Sequence, residues 1–272
     1  MSRIGWIWVI SVLSPAWCAA AVGTPLAVCP INEESLAQLQ KRHPLATVEV
    51  DDPVYKRKQR YQGFWLRDLL KDLSFAGHSE SDVYVRFCCK DGYLPMMPLS
   101  RALRGEGLLA VRDLGAPSGK DWESAPDHAV PATPAPSYLV WVSPPGGTEE
   151  YPWPYQIVAI ELTSSADALG SEVTDKSKKP GYDLFVMHCL KCHAINGVGG
   201  TFGPELNYPC NVTQYWDPGF LSRFIGDASS IRAGTKMPDF HSMPGKDIQA
   251  IIEYLQYMGS HKKTGATCQS DR

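Results

Sequence analysis

This 272-residue chain has no long apolar run except a short one at its N-terminus. A helix that spans a bilayer needs about 20 consecutive apolar residues, so no transmembrane segment is expected in the mature chain. A surplus of either charge is missing too, because 26 Lys and Arg stand against 29 Asp and Glu and the formal net charge is −3. A protein that binds nucleic acid through its overall field needs a basic surplus, so nucleic acid is excluded as a partner.

The apolar run at the N-terminus extends from Ile4 to Leu13 and follows the cation of Arg3. The small residues Cys18-Ala19-Ala20-Ala21 come after it and suit cleavage by a signal peptidase. A membrane anchor is the alternative, but the run is half the length of a span and Pro15 lies just beyond its end. Residues 1–21 are therefore predicted to be a secretory signal, and the mature protein is predicted to be periplasmic, where disulfides persist.

A second Cys or His pair is missing near Cys189-Leu190-Lys191-Cys192-His193. Structural zinc needs four ligands, so half of a zinc site is disfavoured. A redox dithiol would follow a strand, whereas the residues before Cys189 have helical spacing. Two thiols three positions apart with a histidine directly after them are the arrangement that attaches haem c and ligates its iron. Since this motif occurs once, one covalent haem c is predicted, held by Cys189, Cys192 and His193.

The residues around this motif predict two helices that cross. Tyr182, Phe185, Cys189 and Cys192 share one helical face. The glycine-rich run 197–206 lets backbone approach the porphyrin closely. A last helix is predicted from one apolar stripe, formed by Ile248, Ile251, Ile252, Leu255 and Met258.

The segment 181–272 resembles the class I cytochromes c, which implies an all-α cytochrome c domain. In that family the carbonyl of the proline in a Gly-Pro-x-Leu motif accepts the Nδ1 proton of the ligating histidine, and Pro204 occupies that position here. The stretch Gly234-Thr235-Lys236-Met237-Pro238-Asp239-Phe240 is similar to the family's methionine loop. The resemblance implies that Met237 is the second axial ligand of the iron.

The identity of the sixth ligand separates electron transfer from catalysis at the iron. A methionine thioether fills the position with a soft, neutral ligand that favours ferrous iron. His241 and Met243 follow that stretch directly and are the competing ligands. Tyr215 and Trp216 lie where the family has aromatic residues beside the haem, although packing alone explains them as well.

The first half of the mature chain mixes strand and helix signals and predicts an α+β domain over residues 22–163. Strands are expected at 47–50, 83–88, 93–94, 108–111, 138–142 and 156–162, and helices at 33–41 and 61–70. The stretch 115–137 is rich in Pro, Ala, Ser and Asp and predicts a surface loop.

Four sequence stretches in this half resemble the sulfite oxidase-type molybdopterin-binding fold: Y-x-G-F-x-L-x-x-L-L at 61–70, Asp91-Gly92-Tyr93, Leu109–Asp113 and Pro152–Gln156. Proteins of that family bind molybdenum through a cysteine thiolate upstream of the aromatic-x-Gly motif. The corresponding residues here, Val50 to Asp52, include carboxylates and no cysteine. The domain is therefore predicted to hold no molybdopterin, and fold resemblance alone does not assign it an activity.

Residues 164–180 lack an apolar period and predict a flexible linker between the two domains. Among the remaining cysteines, Cys29, Cys88 and Cys89 are expected to form one disulfide with one thiol left over, and Cys210 is expected to pair with Cys268.

Two functions remain open from the sequence. The first is a periplasmic mono-haem cytochrome that transfers electrons to or from a redox protein, with the front domain serving docking or assembly in a larger oxidoreductase complex. No catalytic residue is assigned in that case. The alternative is a subunit of an oxidoreductase whose front domain binds molybdopterin or another metal and passes electrons to the haem.

Overall fold

The computed structural model describes residues 24–126, 133–170 and 173–262. Over these residues the chain forms an α+β front domain with antiparallel sheets, followed by a helical domain. The predicted signal at 1–21 lies outside the described residues. Among the helices of the described part, none has both the length and the apolar character needed to cross a bilayer.

Two four-stranded sheets build the front domain. The strands of the first are β1 (Ala27–Pro30), β4 (Val83–Cys89), β5 (Met96–Pro98) and β8 (Ile157–Ser164). Those of the second are β2 (Ala46–Asp52), β3 (Arg57–Trp65), β6 (Gly107–Asp113) and β7 (Tyr138–Trp141). Their orders are β1-β8-β4-β5 and β2-β3-β6-β7, and every pair is antiparallel. The predicted strands are confirmed in their main extent except the one at 93–94, which is wrong: those residues belong to a turn, and β5 begins at Met96.

The main core of the front domain lies between its two sheets. Phe87 and Ile160 come from the first sheet and Leu109 and Trp141 from the second, and all are almost fully buried. Four helices accompany the sheets: α1 (Glu33–Arg42), α2 (Leu66–Lys71), α3 (Leu99–Arg104) and α4 (Ser165–Leu169). Alternate side chains of β4 enter this core, and the others face away from it.

The predicted helix at 61–70 is wrong in its first half. Residues 57–65 form β3, and only the residues from Leu66 onward are helical. Gly63 explains the difference, because a Cβ there would lie 2.7 Å from Ala110 Cα in the neighbouring strand β6. Close pairing of the two strands overrides the apolar spacing that suggested a helix.

The second domain contains four helices and a small hairpin within the described residues. The helices are α5 (Lys179–His188), α6 (Pro218–Gly226), α7 (Ala228–Ile231) and α8 (Gly245–Gly259). The hairpin pairs β9 (Ala194–Ile195) with β10 (Val198–Gly199), which the all-α prediction did not include. Helices α5 and α8 pack against each other as predicted, and Gly181 permits the contact because a Cβ there would lie 2.9 Å from Tyr254 Cβ.

The segment expected to be a structureless linker contains α4 and a 3-10 turn at Lys176–Lys178. The Ser164 hydroxyl accepts a hydrogen bond from Asp167 N at 3.1 Å, and the Asp175 carboxylate accepts one from Ser177 N at 2.8 Å. These polar side chains therefore cap short helical turns. Helix α4 also packs against β10 of the helical domain.

The disulfide expected among the front-domain cysteines is not formed, because Cys29 and Cys89 are both free thiols. Adjacent residues of a strand point to opposite faces, and Cys89 belongs to the main core whereas Cys88 packs in a separate small cluster. Cys88 and Cys210 are each disulfide-bonded. Cys268 lies outside the described residues, so its pairing with Cys210 stays a prediction.

Candidate haem site

The two thiols of the Cys-x-x-Cys-His motif lie in a turn directly after α5. The helix ends at His188, and Cys189 is its C-cap residue. The amides of Cys192 and His193 then both donate to the Cys189 carbonyl, at 3.0 and 2.9 Å. The expectation that both thiols lie within one helix is therefore corrected: the chain leaves helical geometry at Cys189, and the turn brings the histidine back toward the end of the helix.

Both motif cysteines are free thiols, and Cys189 packs against the apolar core of the helical domain. Burial raises the pKa of Cys189 to about 12 and that of Cys192 to about 11, because the thiolate loses hydration. Neutral thiols of this kind are unsuited to a dithiol that must react as a thiolate. They remain suited to covalent attachment of a vinyl-bearing cofactor.

His193 has one ring nitrogen occupied by a protein acceptor. Its Nδ1 lies 2.8 Å from the Pro204 carbonyl oxygen. Burial lowers the pKa of His193, since the imidazolium would lose hydration. A neutral ring that donates from Nδ1 keeps the Nε2 lone pair free, which is the tautomer that a metal requires.

The glycines after the motif lie close to the motif's backbone and to the His193 ring. A Cβ on Gly203 would lie 2.7 Å from His193 Nδ1, and a Cβ on Gly200 would lie 2.7 Å from the carbonyl carbon of Lys191. The amide of Gly203 also donates to the Cys192 carbonyl at 2.8 Å. These glycines thus allow the loop that carries Pro204 to pack directly on the motif, a role that the predicted approach to a porphyrin did not include.

Met237 lies in a loop between α7 and α8 and is partly buried against the core of the helical domain. Its amide donates to Thr235 Oγ1 at 3.2 Å. The loop is tied to α7 by Asp239, whose carboxylate accepts from the amide of Ser229 at 2.9 Å and from its hydroxyl at 2.7 Å. These hydrogen bonds hold the backbone on both sides of the methionine.

The two competing ligands are placed differently. The side chain of His241 is 66% exposed and lies 3.8 Å from the Asp239 carboxylate. Met243 is partly buried against the same core as Met237. Exposure therefore argues against His241, while both thioethers remain on the apolar side of the loop.

An aromatic group formed by Trp216 and two residues of α6 lies at the core of the helical domain. Trp216 lies 4.8 Å from Phe220 and 5.1 Å from Phe224 between ring centroids. Tyr215 is 54% exposed, so only the second of the two predicted aromatics packs inward. The two phenylalanines were not singled out from the sequence, although their positions four and eight residues after Trp216 are the signal that would have found them.

The residues of the site fit a haem c. Two free thiols at the required spacing, a neutral histidine with a fixed tautomer, and a partly buried thioether within an apolar cluster match the donors that hold this group.

Within its described residues, the front domain has no comparable set of donors for molybdenum. Strand β2 and the next strand, β3, contain no cysteine. Cys29 lies on β1 at the edge of the main core, and burial raises the pKa of its thiol to about 11. The guanidinium of Arg86 is buried and bonded to Glu161 at 2.8 Å. The sulfite oxidase-like character of this domain rests on the resemblance alone.

Comparison with known proteins places the similarity in the helical domain. The family model described as cytochrome c oxidase, cbb3-type, subunit III matches residues 176–255. A cytochrome c domain at these residues implies a haem c and electron transfer, and it suggests a redox partner.

One curated relative is cytochrome c oxidase subunit 2 of Alkalihalophilus pseudofirmus, which is 26% identical over 115 residues. The alignment covers 38% of this chain and 33% of that protein. The chain thus spans about a third of the length of the curated relative it matches.

Proposed function

We propose that this protein is a mono-haem c-type cytochrome that carries electrons in the periplasm, with His193 and Met237 as axial ligands. The observation that carries the proposal is the 2.8 Å contact between His193 Nδ1 and the Pro204 carbonyl, next to two free thiols at haem-attachment spacing. A bound haem c would supply a one-electron couple between ferric and ferrous iron.

Each residue has a distinct part in this site. Cys189 and Cys192 hold the cofactor covalently, and Pro204 orients the His193 ring by accepting its Nδ1 proton. Met237 would supply the second protein ligand of the iron, so no substrate would need to reach the metal. The Trp216 ring packs on Phe220 and Phe224 and, like Met237, against the apolar core of the helical domain. These roles suit a relay that passes electrons without other chemistry.

The front domain serves docking or assembly with a partner redox enzyme in this proposal. The support is its lack of a cysteine where the family that it resembles binds molybdenum, together with its packing against the helical domain. A molybdenum enzyme of that family would need a cysteine thiolate on β2 or β3.

Absorption spectra of the natively produced protein in both redox states test the proposal. A reduced spectrum of a c-type cytochrome is expected, with haem that stays on the chain in a denaturing gel. A protein that releases all of its haem into acidified organic solvent would overturn it.

A further inference from the structure

The helical domain does not complete the haem motif by itself. Three successive motif carbonyls, those of Leu190, Lys191 and Cys192, each accept a hydrogen bond from a different amide. Gly200 serves the first at 2.8 Å and Gly203 serves the third at 2.8 Å. The carbonyl of Lys191 accepts from Leu94, which belongs to the front domain, also at 2.8 Å.

The same front-domain turn also holds the loop that carries Pro204. The carbonyl of Gly92 accepts from Thr201 N at 2.9 Å, three residues before Pro204. A single turn between β4 and β5, residues 90–95, therefore binds the motif at Lys191 and the adjoining loop at Thr201. These are the two backbone segments whose separation sets the contact between His193 and its acceptor.

Gly92 is the residue that makes this arrangement possible. Its φ is +89°, a conformation that favours glycine, and a Cβ would meet the Thr201 side chain and lie 3.0 Å from Phe202 N. The turn is internally supported, because the Asp91 carboxylate accepts from Tyr93 N at 3.0 Å and Gly92 N donates to the Cys89 carbonyl at 3.1 Å. It is thus a stiff support for the loop that it touches.

We propose that the β4–β5 turn is a positioning element of the haem site, through which the front domain sets the hydrogen bond from His193 Nδ1 to Pro204 and thereby the reduction potential. The inference rests on the haem site proposed above and adds a second role to the front domain. A strong Nδ1 hydrogen bond makes the imidazole a better donor. Better donation stabilises ferric iron, so loosening the turn raises the reduction potential.

The main test is Gly92→Ala in the full-length holoprotein, with Gly77→Ala as the matched control. Gly77 has φ +86°, so its backbone strain is the same, but a Cβ there meets nothing within 4 Å. The expected result in Gly92→Ala alone is about tenfold faster amide exchange at Thr201 and Leu94, as loss of an ordinary hydrogen bond gives. A higher reduction potential by spectroelectrochemistry is expected with it. Exchange and potential equal to those of Gly77→Ala would overturn the proposal.

A milder pair of variants keeps the test valid if Gly92→Ala fails to fold. Asp91→Ala removes the acceptor for Tyr93 N, whereas Asp91→Asn retains an oxygen at that place. Both variants lose the carboxylate charge, so the comparison is between them: the potential should be higher in Asp91→Ala than in Asp91→Asn. Equal potentials in the two variants would count against the positioning role.

The two proposals fail in different ways. Amide exchange at Thr201 and the reduction potential are separate readouts, and both are measured on the full-length holoprotein with and without Gly92→Ala. Absence of covalent haem from the wild type would overturn the proposed function. Faster exchange at Thr201 with an unchanged potential would overturn only the inference drawn here.

Discussion

The ammonium group of Lys191, in the middle of the haem motif, lies 2.6 Å from the Glu149 carboxylate of the front domain. The same carboxylate lies 3.8 Å from Nδ1 of His188, the last residue of α5. Side-chain contacts thus join the two domains at the motif, beside the backbone contacts of the β4–β5 turn. The domains meet at the Cys-x-x-Cys-His motif.

Breaking this ion pair should make Lys191 more reactive and should change the stability of the protein only a little. Glu149→Gln is expected to speed acylation of Lys191 by an amine-reactive ester, because the ammonium loses its partner. The free energy of unfolding should change by about 1 kcal/mol or less, since Glu149 is 46% exposed. Peptide mass mapping measures the labelling. Glu150→Gln is the control, because Glu150 pairs with Arg101, and equal labelling in all three proteins would contradict the prediction.

Haem attachment should depend on the two motif thiols of the helical domain and on no thiol of the front domain. Replacing Cys189 and Cys192 together by alanine should give protein without covalently retained haem. Cys89→Ala removes another buried free thiol and should keep the haem. Haem staining after denaturing electrophoresis distinguishes the two results. Retention in the double variant would show that attachment uses other residues.

The axial role of Met237 predicts a spectral change with a clear control. Met237→Ala should abolish the ferric iron–methionine charge-transfer band, lower the reduction potential and open the site to cyanide, while the haem stays attached. Met243→Ala should preserve the band. The reverse pattern would transfer the ligand role to Met243 and leave the carrier function intact.

Molybdenum should be absent from the natively produced protein. The strands that correspond to the metal-binding region of the resembling family lack a cysteine, and Arg86 is already bonded to Glu161. Elemental analysis should find iron at one atom per chain and no molybdenum. Molybdenum at one atom per chain would favour the alternative function, in which the front domain binds molybdopterin and passes electrons to the haem.

The crossing of α5 and α8 should tolerate no side chain at Gly181. A Cβ there would overlap the Ala250 carbonyl and lie 2.9 Å from Tyr254 Cβ, so Gly181→Ala should cost about 1–3 kcal/mol of unfolding free energy. Gly245→Ala is the control, because that position opens α8 with nothing within 4 Å. Urea denaturation of both holoproteins gives the comparison. Equal midpoints would show that the helices can separate at little cost.

Local sequence patterns were sufficient where neighbouring residues decide the structure. The stripe from Ile248 to Leu255 predicted α8 because burial of one helical face needs only the spacing of apolar residues. The same reasoning was wrong for residues 61–65, since pairing of β3 with β6 outweighed the helical spacing. It was also wrong for 164–180, where capping side chains form helical turns.

The sequence by itself determined the chemistry of the site: two thiols and a histidine at haem-attachment spacing, and a proline placed to accept the Nδ1 proton. Those features depend on residues close together in the chain. Only the tertiary structure decided that Leu94 and Gly92 of the front domain bind the backbone around that motif, because about a hundred residues separate the partners. Because every residue other than proline has the same backbone donor and acceptor, these hydrogen bonds cannot be predicted from a sequence pattern.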